Sequence, residues 1–182
     1  VGEKAKKAME NFWPGPLTII LKKKEIVPNV TSGGLSTVAI RMPSNKIANA
    51  LIRESKTQIA APSANISGRP SPTKAEHVVK EMSGRVSGII MGGDCDFGLE
   101  STVVDFSEDK PMILRPGSIT KEMLEEVLGE VSIDPSLTKK EDNIKAKAPG
   151  MKYKHYSPNA QVYIVKGEEN NVITKMNELS RK

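Results

Sequence analysis

Residues 12–21 read FWPGPLTIIL and join a helix end, a turn and the start of a sheet. The preceding residues 3–13 are mostly good helix formers, and their apolar side chains recur at helical spacing. Pro14 ends this helix, because proline lacks a backbone N–H and clashes with the preceding turn. The run LTIIL that follows is aliphatic and β-branched, which predicts a strand. We expect the rings of Phe12 and Trp13 to pack the helix end against the sheet.

Outward from this stretch, short apolar segments alternate with helical ones. Further strands are predicted at VAIRM (38–42), GIIMGG (88–93), STVVDF (101–106) and MILRPG (112–117), and TQIAAPSAN (57–65) is predicted to be a strand that runs into a loop. Several of these strands follow one another without a helix between them, which argues against a purely parallel Rossmann sheet. The sequence therefore predicts a mixed α/β fold of the α+β type, a twisted mixed sheet with flanking helices.

Capping residues mark the expected helix starts. Ser44 is placed to cap one helix. Thr73 and Glu76 have the spacing of a capping box and open a second. Thr120 begins a third helix, which ends near Gly129.

The regular spacing of apolar residues is lost from about residue 131 to residue 160. There the chain is polar, contains proline and resembles a linker. Residues 161–182 then predict a strand followed by a helix, too few to form a core of their own. We therefore predict three parts: the C-terminal part of a first, α/β domain over 1–130, an interdomain linker over 131–160 and the beginning of a second, C-terminal domain over 161–182.

The charge and cysteine content limit the class of protein. The chain has 27 Lys+Arg and 22 Asp+Glu, a net charge of +5, which suits phosphate-bearing partners. Because the lysines are scattered, a lysine-rich surface is the simpler explanation of this charge. No segment approaches the roughly 18 consecutive apolar residues of a membrane span, so we expect no membrane partner. The single cysteine, Cys95, excludes an internal disulfide and predicts a cytoplasmic location.

Common catalytic signatures are absent from the sequence. It has no phosphate-binding P-loop, no G-x-G-x-x-G, no H-E-x-x-H and no nucleophile elbow. One cysteine and two histidines do not make a structural zinc site. Asp94, Cys95 and Asp96 are adjacent in the chain, and adjacent side chains rarely converge on one ion. We therefore expect no metal site and no covalent nucleophile.

The loop APSANISGRPSPT over residues 61–73 is the densest polar segment. Ser63 and Ser71 offer hydroxyls, Asn65 offers an amide, and three prolines stiffen the loop and lower the entropic cost of binding. The same composition is typical of any surface loop.

Two arginines lie at predicted strand ends, Arg41 in VAIRMP and Arg115 in ILRPG. The planar guanidinium group suits a carboxylate or a phosphate, with which it forms two parallel hydrogen bonds. A salt bridge at the sheet rim with Glu100 or Asp105 is the alternative. Ser101 adds a hydroxyl at another strand start. Such a cleft suits anion binding and catalysis by positioning and charge stabilisation.

Five segments together identify a family: FWPGPLTIIL, STVAIRMPSN, IAAPSANISGRPSPT, GGDCDFGLESTVVDF and MILRPGSIT. In this order and at this spacing they closely resemble the threonylcarbamoyl-AMP synthase (YrdC-like) family. The segment APGMKYKHYSPNA resembles the interdomain linker of the two-domain branch, which has a small Rossmann-like C-terminal domain.

This resemblance implies a large, basic, concave cavity and the condensation of L-threonine, bicarbonate and ATP into threonylcarbamoyl-AMP and pyrophosphate. A separate transferase complex then modifies adenosine in tRNA, while direct tRNA binding by the synthase is expected to be weak at most. Mg²⁺ would be carried by ATP. The resemblance assigns threonine to Arg41, the backbone at Ala61, and Ser101. It assigns ATP to Thr37, Ser63, Asn65, Ser71, Arg115 and Tyr156, with Tyr153 and His155 as neighbours of Tyr156.

The chain departs from the family pattern at both ends. The resemblance implies Lys/Arg-rich motifs before Val1 and a longer C-terminal domain, so we expect this polypeptide alone to have little or no activity. Two alternatives are a carbamoyl-AMP-forming module of hydrogenase maturation, which shares the fold, and a non-catalytic RNA-binding module. The latter would need exposed aromatic rings for stacking, and the rings here are few and mostly adjoin prolines.

Overall fold

The computed structural model describes residues 1–137 and 161–181. A five-stranded mixed sheet with the strand order β2-β1-β3-β4-β5 is its centre. The strands are β1 (Leu17–Lys22), β2 (Thr37–Arg41), β3 (Thr102–Asp105), β4 (Met112–Arg115) and β5 (Ser132–Ile133). The helices are α1 (Glu3–Phe12), α2 (Lys46–Ser55), α3 (Ala75–Met82), α4 (Lys121–Leu128) and α5 (Glu169–Leu179), with a 3-10 turn at Pro135–Leu137.

Parallel and antiparallel pairs alternate across the sheet. Strand β1 is antiparallel to β2 and parallel to β3, while β4 is antiparallel to β3 and parallel to β5. Helices flank this sheet, which confirms the predicted mixed α/β class. Because β1 and β3 start at the edge where β2 and β4 end, four strand ends meet there.

One face of the sheet carries the main core. Leu17 and Ile19 of β1 point to the same side as Val104 of β3, and all three are fully buried. Ala8 of α1 and Leu124 of α4 cover them. The opposite face has a smaller cluster formed by Ile20, Val103 and Leu114. The face that carries this smaller cluster is the one available for a site.

The Trp-Pro-Gly-Pro corner between α1 and β1 is built as the sequence predicts. Phe12 and Trp13 pack against the main core. The Trp13 indole N–H donates to the Leu17 carbonyl at 2.7 Å. The Gly15 N–H donates to the Met42 carbonyl at 2.9 Å, and a side chain at Gly15 would collide with the Phe12 carbonyl. The corner therefore ties α1 to the end of β2.

Three strand predictions are wrong. Residues 57–65, 88–93 and 161–167 form no strand in the described part of the chain. A β-rich composition forms a strand only where a neighbouring strand offers a ladder of partners. Just after the second of these segments the chain bonds to a loop and not to a strand, since the Cys95 N–H donates to the Thr73 carbonyl at 2.9 Å.

The predicted helix caps have mixed outcomes. Asn45 rather than Ser44 caps α2, since its Oδ1 accepts from both the Ile47 and Ala48 N–H groups at 3.0 Å. Lys74 stands at the cap of α3 without a side-chain bond, so the predicted capping box of Thr73 and Glu76 is not formed.

Thr120 caps α4 as predicted, accepting from the Met123 N–H at 3.3 Å, and Gly129 follows the helix end. The sheet continues into β5, past the domain boundary predicted at residue 130.

Candidate functional site

The candidate site lies where the four strand ends meet, and Ser101 is at its centre. The Ser101 and Thr18 hydroxyls are 2.7 Å apart. Arg115 donates through Nε and Nη2 to the Ser101 carbonyl at 3.1 and 2.9 Å, and through Nη2 to the Ser101 hydroxyl at 3.2 Å. These contacts join the ends of β1, β3 and β4 around one serine.

Arg41 reaches the same edge from β2. It pairs with Thr18 in the β1–β2 ladder, and paired residues project from the same face of a sheet. Its Nε donates to the Gly15 carbonyl at 3.2 Å, so the Pro-Gly corner orients the side chain. Its two terminal nitrogens make no hydrogen bond within the described residues. They form a free fork of the kind that binds a carboxylate or a phosphate.

The two arginines influence each other electrostatically. Burial lowers the pKa of Arg41, and the positive charge of Arg115 lowers it further. Arginine remains protonated in spite of such a shift. An anion between the two guanidinium groups would screen their repulsion, so the pair favours an anionic ligand. Neither arginine forms an ion pair within residues 1–137 and 161–181, and the rim salt bridge considered above is not formed there.

Thr37 lies on the same face at the other end of β2. It pairs with Lys22, as Arg41 pairs with Thr18, and the four intervening steps along the strand keep both side chains on one face. At about 3.4 Å per residue, Thr37 and Arg41 are about 14 Å apart. The face of the sheet that a ligand could contact therefore extends along the length of β2.

Ser71 joins the loop to the sheet edge. Its hydroxyl donates to Glu100 Oε1 at 2.7 Å, and Glu100 directly precedes Ser101. The following residues are held as well, because the Thr73 carbonyl accepts from the Cys95 N–H. This serine is therefore fixed next to the strand end that carries Ser101.

Asn65 closes a tight turn in the loop. Its Nδ2 donates to the carbonyls of Ile66 and Arg69 at 3.0 and 3.1 Å, which uses both amide hydrogens. Its Oδ1 is buried and has no partner within the described residues. Any direct contact between Asn65 and a ligand would have to use that oxygen.

Glu81 of α3 holds the outside of this turn. Its carboxylate accepts from the Ile66 N–H at 2.9 Å and from Arg69 Nη1 at 3.4 Å. The Ile66 N–H is the largest cause of the lowered pKa of Glu81, and Arg69 contributes to it.

The remaining predicted site residues are exposed or lie outside the described residues. Ala61 and Ser63 are exposed in the loop, and the Ser63 hydroxyl makes no hydrogen bond within the described residues. Tyr156, like Tyr153 and His155, lies outside the described residues.

Two cavities in the described part of the chain adjoin the site, and one of them includes the predicted residue Thr37. One, of about 110 Å³, is lined by residues including Pro72, Thr73 and Cys95. The other, of about 410 Å³, is lined by residues including Lys22 and Thr37. Within residues 1–137 and 161–181, no three His, Cys, Asp or Glu side chains are grouped to hold a metal ion. No helix in that part of the chain is long and apolar enough to span a membrane.

Sequence reasoning missed two polar residues around the site, Thr18 and Glu81, and it considered Glu100 only as a salt-bridge partner of the arginines. Thr18 is one polar residue in an aliphatic strand, and this interruption could have indicated a polar face. Glu100 precedes a predicted site serine. Glu81 gives no comparable signal, since a glutamate on an amphipathic helix is typical of any solvated face.

Comparisons with known proteins extend these observations. A protein-family model described as "Telomere recombination" matches residues 1–117. A second, described as "Threonylcarbamoyl-AMP synthase, C-terminal domain", matches residues 119–182.

Several curated proteins of related sequence are named threonylcarbamoyl-AMP synthase. A protein of Pyrococcus abyssi named threonylcarbamoyl-AMP synthase is 50% identical over 182 residues, covering 100% of this chain and 53% of that protein. One of the same name from Bacillus subtilis is 54% identical over 167 residues, covering 91% of this chain and 47% of that protein. The chain thus spans about half the length of the curated relatives it matches.

A solved structure has the same fold. The crystal structure of P. abyssi Sua5 complexed with L-threonine superposes with a TM-score of 0.92 at 50% identity. The match covers 98% of this chain and 52% of that one.

Proposed function

This chain belongs to the threonylcarbamoyl-AMP synthase (Sua5/YrdC) family, and we propose that the protein makes threonylcarbamoyl-AMP from L-threonine, bicarbonate and ATP. The observation that carries the proposal is 50% identity over all 182 residues to a synthase of that name. The complex of a similar Sua5 protein with L-threonine supports threonine as a substrate. The hydrogenase-type module and the RNA-binding module are not favoured, because the relatives reported above carry the synthase name.

The proposed reaction forms two bonds. The threonine nitrogen joins the carbon of bicarbonate with loss of water, and an oxygen of the resulting carbamate joins the α-phosphorus of ATP with loss of pyrophosphate. Every reactant is an anion or carries a carboxylate. Two arginines at one sheet edge suit this chemistry, since they can hold several negative charges close together.

We assign threonine to the sheet edge. The free fork of Arg41 suits its carboxylate, and the Ser101 hydroxyl, held by Thr18 and Arg115, suits its ammonium or hydroxyl group. The exposed backbone at Ala61 completes this part of the proposal.

We assign ATP to the remaining predicted residues. Nη1 of Arg115 makes no hydrogen bond within the described residues and is available to a phosphate. The ATP residues are Thr37, Ser63, Asn65, Ser71, Arg115 and Tyr156. Mg²⁺ would arrive with the nucleotide, and no residue of this chain is assigned to it.

The proposed product passes to a separate transferase that modifies tRNA, and the synthase itself would contact tRNA weakly at most. A cytoplasmic location is part of the proposal and is supported by the single cysteine.

The decisive experiment measures pyrophosphate release by the intact protein, with whatever residues flank this chain in the cell. We expect release that requires both threonine and bicarbonate. Release that needs carbamoyl phosphate but not threonine would indicate the hydrogenase-type activity, and no nucleotide-dependent release would reject the proposal.

Arg115→Ala tests the ATP assignment. Loss of a charged hydrogen bond of about 1.5–3 kcal/mol corresponds to about a 10- to 100-fold fall in kcat/KM for ATP. The fall for threonine should be smaller, since the Ser101 hydroxyl keeps its contact with Thr18 when Arg115 is removed. Arg85→Ala is a matched control, since Arg85 is exposed in a turn after α3. Equal losses for both substrates would contradict the separate assignments.

A further inference from the structure

We propose that Ser71, oriented by Glu100, recognises a hydrogen-bond donor on the nucleotide, a ribose hydroxyl or the adenine amino group, and not a phosphate. This inference rests on the proposed function and refines it. It assigns the loop to the nucleoside and makes Glu100 a positioning residue that acts through Ser71.

The first argument is the hydrogen-bond inventory of Ser71. A serine hydroxyl has one hydrogen to donate and two lone pairs that accept. That hydrogen is directed to Glu100 Oε1 at 2.7 Å. An ionised carboxylate has no hydrogen to return. Ser71 therefore offers a ligand only lone pairs, and phosphate oxygens, which need donors, do not fit them.

The second argument is charge. A phosphate oxygen bound to Ser71 would lie about 5 Å from the Glu100 carboxylate, the length of two consecutive O–H···O bonds. Two negative charges at that separation repel each other in the partly buried environment of this pair. A ribose hydroxyl or an adenine amino group has a positive hydrogen, which this charge attracts through the intervening serine.

The third argument is rigidity. The Thr73 carbonyl accepts from the Cys95 N–H at 2.9 Å, and Pro70 and Pro72 flank the serine. Glu100 is held in turn, because the start of β3 packs directly against Gly117, where an added Cβ would lie 2.5 Å from the Glu100 carbonyl. Both partners are thus fixed from outside the contact, as a selective contact requires.

The polar groups at this edge consequently serve two kinds of ligand atom, hydrogen-bond acceptors and hydrogen-bond donors. Arg41 and Arg115 supply the donors that carboxylate and phosphate oxygens need. Ser71 with Glu100 supplies the acceptor that a sugar or base donor needs. A site that hydrogen-bonds a substrate hydroxyl rejects an analogue lacking it, because its own polar group is then left unpaired.

The test compares kcat/KM for ATP, 2′-deoxyATP, 3′-deoxyATP and inosine triphosphate in threonine-dependent pyrophosphate release by the intact protein. These analogues remove the two ribose hydroxyls and the amino group one at a time. We expect the wild-type protein to use at least one of them tenfold or more less efficiently than ATP. The analogue that is rejected identifies the donor.

Ser71→Ala and Glu100→Ala should reduce that discrimination to about threefold or less, while KM for threonine changes less than twofold. Glu130→Ala is the control and should discriminate like the wild type, since Glu130 pairs with Lys110 on the exposed surface. Ser71→Ala removes a single oxygen atom, so it tests the contact even if Glu100→Ala fails to fold.

Two results would overturn the inference. Equal use of all four nucleotides by an active wild-type protein would show that no donor is recognised. Undiminished discrimination in folded Ser71→Ala would show that another group recognises it. Absence of threonine-dependent release in the wild type is a different result, and it rejects the proposed function instead.

Discussion

The sheet edge and the loop over residues 61–73, which together form the candidate site, are held in place by different interactions. The sheet with α1 and α4 is closely packed, and its core residues such as Leu17, Val104 and Leu124 are fully buried. In the segment 43–100, by contrast, neither α2 nor α3 contains a buried residue. Ser101 and Arg115 are positioned by the packed sheet, whereas Asn65 and Ser71 are positioned by individual side-chain bonds. Packing thus fixes the strand ends that carry Ser101 and Arg115, and hydrogen bonds fix the loop.

The largest expected effect tests the packing difference directly. Leu124→Ala removes a fully buried side chain and should lower the free energy of unfolding by about 2–5 kcal/mol. Leu51→Ala, at a residue of α2 that is 50% exposed, should cost about 0.5 kcal/mol or less. Urea unfolding of the intact protein measures both. Equal losses would mean that residues outside the described part of the chain cover α2, which would remove the contrast.

The next largest expected effect is a loss of stability on substitution of Gly117, with Gly98 as the control. A Cβ at Gly117 would lie 2.5 Å from the Glu100 carbonyl and 2.5 Å from the Thr102 N–H nitrogen. Gly117→Ala should therefore cost about 1–3 kcal/mol, as overpacking does, and disturb the start of β3. Gly98→Ala in the open segment meets nothing within 4 Å and is the matched control. Thermal unfolding of both variants decides this, and an unchanged Gly117→Ala protein would contradict the close packing.

A smaller effect is expected at Thr18. Thr18→Val keeps the shape of the side chain but removes the hydrogen bond to the Ser101 hydroxyl. We expect KM for threonine to rise about fivefold, the equivalent of about 1 kcal/mol, with KM for ATP nearly unchanged. Steady-state kinetics with each substrate varied in turn provide the measurement. A rise in KM for ATP alone would place Ser101 with the nucleotide.

The smallest effect depends on pH. Because the pKa of Glu81 is lowered on folding, its ionised form stabilises the folded protein at neutral pH. That contribution is lost as the pH falls through the lowered pKa. The difference in Tm between wild type and Glu81→Gln should thus be largest at neutral pH and shrink as the pH falls below the ordinary pKa of a glutamate. A difference that grows towards acid would contradict the assigned contact.

The sequence predicted well those elements that local chemistry determines. Pro14 and Gly129 mark helix ends, and the aliphatic runs at β1, β3 and β4 form strands as expected. The wrong strand predictions, at residues 57–65, 88–93 and 161–167, depend on a ladder partner, which the composition of a segment does not reveal. The cap of α2 shows the same limit, because adjacent Ser44 and Asn45 both have suitable side chains.

The sequence likewise predicted only part of the candidate site. The chemistry of Arg41 and Arg115 was visible in the sequence as two alternatives, an anion site or a rim salt bridge, which the sequence alone does not separate. The orientation of the two side chains by Gly15 and Ser101 was not predictable, since these hydrogen bonds join segments that are distant in the sequence. The hydroxyl pair of Thr18 and Ser101 follows only from the parallel pairing of β1 and β3.

That parallel pairing also sets an order of assembly. Thr18 and Ser101 are 83 residues apart in the chain, while β3 and β4 are near neighbours in sequence. Contacts between distant segments form late, because the intervening chain must first be ordered. During synthesis Arg41 leaves the ribosome long before Ser101 and Arg115. The newly made first strands therefore cannot place an anion between Arg41 and Arg115 until the last two strands of the edge have emerged, and a ligand of the edge can stabilise the fold only after that point.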